Sequence, residues 1–129
     1  MSSPHIFLVG HCGPDTSYLR VAVKKALPDS AVHTVHDEAA LDTAIAKIPA
    51  GEPPPLLLVN RALEPGFAAE TGVELIAQLR GKYPDAKLLL VSNYDDAQAA
   101  AVKNGALRGF GKRDIGSPAL TALLQETAK

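Results

Sequence analysis

Asn60, Ser92, Asn93 and Lys112 are the side chains of this sequence whose placement suggests chemistry. Each stands at or just beyond the end of a strand-like run: Leu56 to Val59 before Asn60, Leu88 to Val91 before Ser92 and Asn93, and the weaker Leu107 to Lys112, which ends in the lysine. In an open α/β sheet the functional crevice lies outside the carboxyl ends of the strands, so three such ends would gather these groups in one place. A hydroxyl, two carboxamides and a cation could hold an anion. Asn60 follows the most continuous of the runs, where a reactive group is expected, yet a carboxamide is a poor nucleophile.

Other constellations are weaker. His11, Cys12, His33 and His36 are metal-type ligands, but they form neither a CxxC nor an HExxH spacing. If His33 and His36 share a strand, alternation sends them to opposite faces. Gly10-His11-Cys12-Gly13 follows one strand and opens a helix, the right place for a phosphate loop, without the GxGxxG or GxxxxGK[ST] pattern. Ser92, His11 and Asp95 make a hydrolase triad only on paper, since no GxSxG elbow is present. Arg108, Lys112 and Arg113 form a local basic patch.

The elements that must position these residues alternate along the chain. Ile6 to Val9 is a short buried strand, and Asp15 or Thr16 is expected to cap a helix that buries Leu19, Ala22, Val23, Ala26 and Leu27 and ends at Pro28. Ala31 to His36, β-branched and histidine-containing, reads as an edge strand. Asp37 caps a second helix with the stripe Leu41, Ala44, Ile45 and Ile48, and the proline-rich segment 49–55 is a linker. The run before Asn60 lacks alternation, as suits a central strand covered on both faces. After a long loop, Arg61 to Thr71, come a helix from Gly72 to Tyr83, a strand from Lys87 to Val91, an alanine-rich helix from Asp95 or Asp96 to Asn104-Gly105, and a fifth strand from Leu107 to Lys112. Ser117 and Pro118 start the last helix, which buries Leu120, Leu123 and Leu124. Five strands alternating with five helices predict one doubly wound α/β domain over residues 1–129.

Composition narrows the function classes. The net charge of -1 over 129 residues argues against a broad nucleic-acid footprint. One cysteine fits a reducing compartment, and the first apolar run is too short for a signal peptide or a membrane span. A soluble cytoplasmic protein without membrane contact is expected.

The alternation, the chain length, the stretch Leu88-Leu89-Leu90-Val91-Ser92-Asn93-Tyr94-Asp95-Asp96, the pair Gly105-Ala106 and Phe110-Gly111-Lys112 together resemble the receiver domain of two-component response regulators. The resemblance implies a flavodoxin-like (CheY-like) sheet of order 2-1-3-4-5. It implies that Ser92 and Lys112 occupy the two phosphate-contacting positions. It puts the phosphate-accepting aspartate at Asn60 and the Mg²⁺-holding acidic pair at Gly10 and His11, with no carboxylate until Asp15. The loop after Asn60 is longer than the family norm. Phe110 lies two residues before Lys112, whereas the family's switch aromatic lies three before, where this chain has Gly109.

Phosphoryl transfer to a side chain requires an anionic oxygen and a divalent ion, and Mg²⁺ requires oxygen ligands. Asn60, Gly10 and His11 supply neither, so a pseudo-receiver without cofactor, metal or catalytic residue is expected. Without the acidic residues, Lys112 is left as a cation lacking its usual partners. The expected role is a non-enzymatic protein–protein interaction module of two-component signalling. Its partners would be a histidine kinase, another receiver, an output protein or a second copy in a homodimer. Contact is expected at the loop Arg61 to Thr71 and the fourth-helix surface, with no output domain beyond the fifth helix. The alternative is a small-ligand, nucleotide or anion sensor using Gly10 to Gly13, Asn60 and Ser92.

Overall fold

A computed structural model describes residues 4–63, 66, 67 and 69–128. Its elements are β1 (His5–Val9), α1 (Gly13–Ala26), β2 (Ala31–Val35), α2 (Glu38–Ala46), β3 (Leu56–Asn60), α3 (Gly72–Lys82), β4 (Lys87–Val91), α4 (Asp95–Lys103), β5 (Leu107–Phe110), a 3₁₀ turn (Lys112–Asp114) and α5 (Pro118–Thr127). The strands are all parallel, in the order β2-β1-β3-β4-β5. This is the expected flavodoxin-like architecture, with β3 in the middle and β2 and β5 at the edges.

Alternation along the strands divides the core in two. Phe7, Val9, Leu57, Val59, Leu88 and Leu90 join the buried side chains of α2, α3 and α4 on one face. Ile6, Leu8, Leu56, Leu58, Leu89 and Val91 join those of α1 and α5 on the other. Both faces of β1, β3 and β4 are therefore covered, which explains runs of leucine and valine with no polar alternation. Burying one such side chain fully is worth about 1.5–3 kcal/mol.

Helix ends follow local chemistry. The side chains of Asp37, Thr71 and Ser117 accept from the backbone N–H of Ala40, Glu74 and Leu120, capping α2, α3 and α5. Arg80 donates to the carbonyls of Gly105 and Ala86 at 3.2 and 2.9 Å and to that of Pro84, tying the turns that precede β4 and β5 to α3.

Three boundaries and the burial of Leu123 differ from expectation. Helix α1 begins at Gly13, with Cys12 as an N-cap that makes no side-chain bond, so Asp15 and Thr16 lie inside the helix rather than capping it. Pro14 in the first turn permits that earlier start. Strand β2 ends at Val35, leaving His36 exposed outside it. Strand β5 ends at Phe110, and Lys112 opens the 3₁₀ turn because Asp114 accepts from the Gly111 N–H and closes the chain on itself. Leu123 is only partly buried on α5.

The long β3–α3 loop also has a shape of its own. Ala62 and Thr71 pair antiparallel across its base, and Phe67 and Ala69 turn into the core. Glu64, Pro65 and Ala68, part of the loop Arg61 to Thr71 where partner contact is expected, lie outside the described residues.

Candidate functional site

Asn60, Ser92 and Lys112 line one cleft of about 230 Å³ at the carboxyl ends of β3, β4 and β5, together with Arg61, Ala62, Asn93 and Tyr94. Three glycines permit the close approaches around it. Gly10 takes φ of +74° at the end of β1, a region that L side chains rarely adopt. Gly72 starts α3 so close to β3 that a Cβ there would fall 2.1 Å from the Asn60 carbonyl oxygen. At Gly111 a Cβ would meet the Asn93 Oδ1 at 2.1 Å.

The Asn60 side chain is buried and donates from Nδ2 to the carbonyls of Gly10 at 3.2 Å and Ala62 at 2.8 Å. Its two amide protons are thereby used to join β1 to the first turn of the β3–α3 loop. His11 is turned inward as well: its Nε2 lies 2.8 Å from the Leu58 carbonyl oxygen. A carbonyl can only accept, so Nε2 carries the proton and Nδ1, which is buried without a partner, is a bare lone pair. Burial pushes the His11 pKa below the ordinary histidine value, and Lys112 and His36 push the same way against the opposing Leu58 bond and Asp15 charge. His11 is consequently neutral at pH 7.

The ground beside the Gly10–His11 turn is not empty. A Cβ on Gly10 would lie 2.6 Å from Leu63 Cδ2 and 3.6 Å from Phe67 Cε2, both from the β3–α3 loop. The loop that exceeds the family norm thus packs apolar side chains where the resemblance places the first acid.

Lys112 does have a partner, which corrects the expectation of an uncompensated cation. Its Nζ sits 2.8 Å from Asp15 Oδ2, the two side chains being 44% and 23% exposed. The Lys112 hydrogen bond, with help from the Cys12 side chain, holds the Asp15 pKa below the usual carboxylate range. Asp15 meets Lys112 because α1 begins at Gly13, which places the carboxylate in the first turn. Opposite, the Ser92 Oγ accepts from the Tyr94 N–H at 3.1 Å, and the Arg61 guanidinium lies 4.7 Å above the Tyr94 ring. Asn93 accepts from the Arg113 N–H at 3.2 Å and fixes the 3₁₀ turn beside β4.

The remaining candidates do not join this group. His33 stacks on Phe7 and bonds to His5 at 3.1 Å, at the amino end of β1. Among the described residues no three His, Cys, Asp or Glu side chains converge as a metal site. Phe110 is buried on the α1–α5 side of the sheet. The donor set at the β1 end comprises one carboxylate already bonded to a lysine, a glycine and an inward-facing imidazole, which does not fit the oxygen shell of Mg²⁺. A residue that sequence reasoning missed is Gln98, buried between α4 and the β4–β5 seam.

No family model and no curated protein matches the sequence. Solved structures with the same fold are numerous. A response regulator from Burkholderia pseudomallei, whose structure contains a phosphorylated aspartic acid and a calcium ion, superposes with TM-score 0.63 at 18% identity over 98% of this chain and 67% of that one. The signal receiver domain of a DNA-binding response regulator from Colwellia psychrerythraea 34H gives 0.74 at 10% identity over 96% and 97%. The RcsB response regulator of Salmonella typhimurium gives 0.75 at 17% identity over 100% of this chain and 63% of that one. The chain therefore spans less than two thirds of RcsB. With five parallel strands in the order 2-1-3-4-5, the chain has the fold of response-regulator receiver domains.

Proposed function

We propose that this chain is a receiver-type module of two-component signalling that works without aspartyl phosphorylation and acts by binding a protein partner. The reading rests on Asn60. Its amide stands at the end of the central strand, where the resemblance places the phosphate acceptor, and both of its protons are engaged by backbone carbonyls. An amide held as a cross-link offers no anionic oxygen for phosphoryl transfer. The Asp15–Lys112 pair and the inward His11 support the same reading, since neither leaves a shell of oxygens for a divalent ion.

The partner belongs to the same signalling class: a histidine kinase, another receiver, an output protein or a second copy of this chain. Support for docking lies with α4 and β5 more than with the β3–α3 loop, because Phe67 and Ala69 face inward. Val102 on α4 and Leu107 on β5 are 45% and 50% exposed. The sensor alternative has less support, as the one lysine in the cleft is already met by a carboxylate.

Mass spectrometry after incubation with acetyl phosphate and Mg²⁺ tests the proposal. The unmodified chain mass is expected. A labile phosphate adduct abolished by Asn60→Ala would overturn it.

A further inference from the structure

The ladder between β4 and β5 is interrupted. Leu89 pairs with Leu107 and Val91 with Phe110, so Leu90 on β4 faces both Arg108 and Gly109 on β5. An extra residue of this kind leaves backbone groups without ladder partners. Gly109 is pressed onto β4 so closely that a Cβ there would lie 2.0 Å from the Leu90 carbonyl oxygen. No side chain fits at that point.

The gap is closed from outside the sheet. Gln98, in the first half of α4, is 3% exposed. Its Oε1 accepts from the Gly109 N–H at 3.0 Å. Its Nε2 lies 2.8 Å from the Leu90 carbonyl oxygen, 3.1 Å from that of Ser92 and 3.2 Å from that of Phe110. A carboxamide has two N–H groups, so three carbonyls share two protons, with Leu90 the best placed. Like a short length of backbone, the side chain both donates and accepts across the seam.

We infer that Gln98 is a conformational strap that holds α4, β4 and β5 in one arrangement. Turning or sliding α4 against the sheet would break these bonds together. It would also take these partners from the half-buried Gly109 N–H and the buried Leu90 carbonyl, which is costly. Side chains around the strap add weak ties: Arg108 reaches Asp95 at 3.5 Å and Asn104 reaches the Val73 carbonyl at 3.5 Å, both at the limit of bonding. A partner approaching α4 and β5 therefore meets a preset surface. The inference concerns internal mobility alone and stands apart from the phosphorylation reading.

Backbone relaxation dispersion and amide hydrogen exchange on the full chain test it. In the unaltered protein, residues 92–110 are expected to show flat dispersion and the Gly109 amide slow exchange. Gln98→Met keeps an unbranched side chain of similar length but can neither accept from Gly109 nor donate to the carbonyls. It is expected to speed Gly109 exchange by about tenfold or more and to bring millisecond broadening to α4 and β5, with β1 and β3 amides unchanged. Unchanged Gly109 protection in Gln98→Met would overturn the inference. So would millisecond exchange through α4 in the unaltered protein, a result that decides the matter even if the variant does not fold.

Discussion

The two walls of the cleft use similar polar side chains in opposite ways. On the β1–β3 wall, Asn60 and His11 are buried and turned into the fold, each donating to a backbone carbonyl. On the β4–β5 wall, Lys112 keeps partial contact with solvent, as does Asp15, which meets it from the first turn of α1. The difference shows that a side chain at a strand end can serve as scaffold or as site, and that its hydrogen-bond partners decide which. The first wall satisfies carbonyls that the chain exposes where β1 ends. Gly10 turns away, its own N–H bonding to the Val35 carbonyl, and the imidazole of His11 takes up the Leu58 carbonyl.

The largest effect is expected where a scaffold group is made into a site group. Asn60→Asp removes both donors and sets a carboxylate against the Gly10 and Ala62 carbonyls. Urea unfolding at pH 7 should show a loss of about 1–3 kcal/mol, the cost of buried acceptors left without donors. The carboxyl would have a raised pKa in the folded state, so the loss should shrink as pH falls towards the ordinary carboxylate value of about 4. Mass spectrometry should still find no phosphate adduct after acetyl phosphate treatment, because Leu63 and Phe67 occupy the ground beside Gly10. Full stability at pH 7 would show that the wall is not the scaffold described.

His11 comes next. His11→Ala removes a buried ring and one hydrogen bond, and a loss of about 2 kcal/mol is expected from the cavity and the orphaned Leu58 carbonyl. The pH dependence has a definite sign. Burial lowers the folded pKa of His11 below its unfolded value, so the unfolded chain binds the proton more readily. Stability from this group is complete above about pH 6.5 and is lost as pH falls below it. His33, lowered chiefly by burial and then by His5 and Arg20, acts in the same direction. His11→Phe, which keeps the ring and removes the titration, should flatten the urea midpoint between about pH 5 and 6.5 without abolishing the His33 part. An unchanged slope would place the His11 ring in water.

How much of this could be read from the sequence depends on the wall. The fold was legible because β1, β3 and β4 are covered on both faces, so Leu56 to Val59 and Leu88 to Val91 carry no polar interruption. Asn60, Ser92 and Lys112 were legible as a group because each ends a strand or follows one closely. The Asp15–Lys112 pair was not, because Cys12 caps α1 without a side-chain bond and gives no sign that the helix begins at Gly13. An expected cap at Asp15 uses up the carboxylate that Lys112 holds. Gln98 was hidden for another reason: a glutamine in an alanine-rich helix reads as a solvent-facing residue. Only the bulge at Gly109 reveals the backbone groups that it serves.

The smallest effect belongs to the second wall. Lys112→Ala and Asp15→Asn each remove one member of a pair that is partly open to water, where an ion pair contributes about 0.2–1 kcal/mol. A double-mutant cycle by urea unfolding should return a coupling in that range, reduced by high salt. The Asp15 part should be complete above the ordinary carboxylate value of about 4 and be lost as pH falls from there through its lowered folded value, since a depressed pKa stabilises only the ionised form. A coupling well above 1 kcal/mol would mean that Lys112 and Asp15 are as much scaffold as Asn60, and the contrast between the walls would fail. A coupling near zero with unchanged stability would instead mark the pair as free to part, leaving the lysine available to whatever enters the cleft.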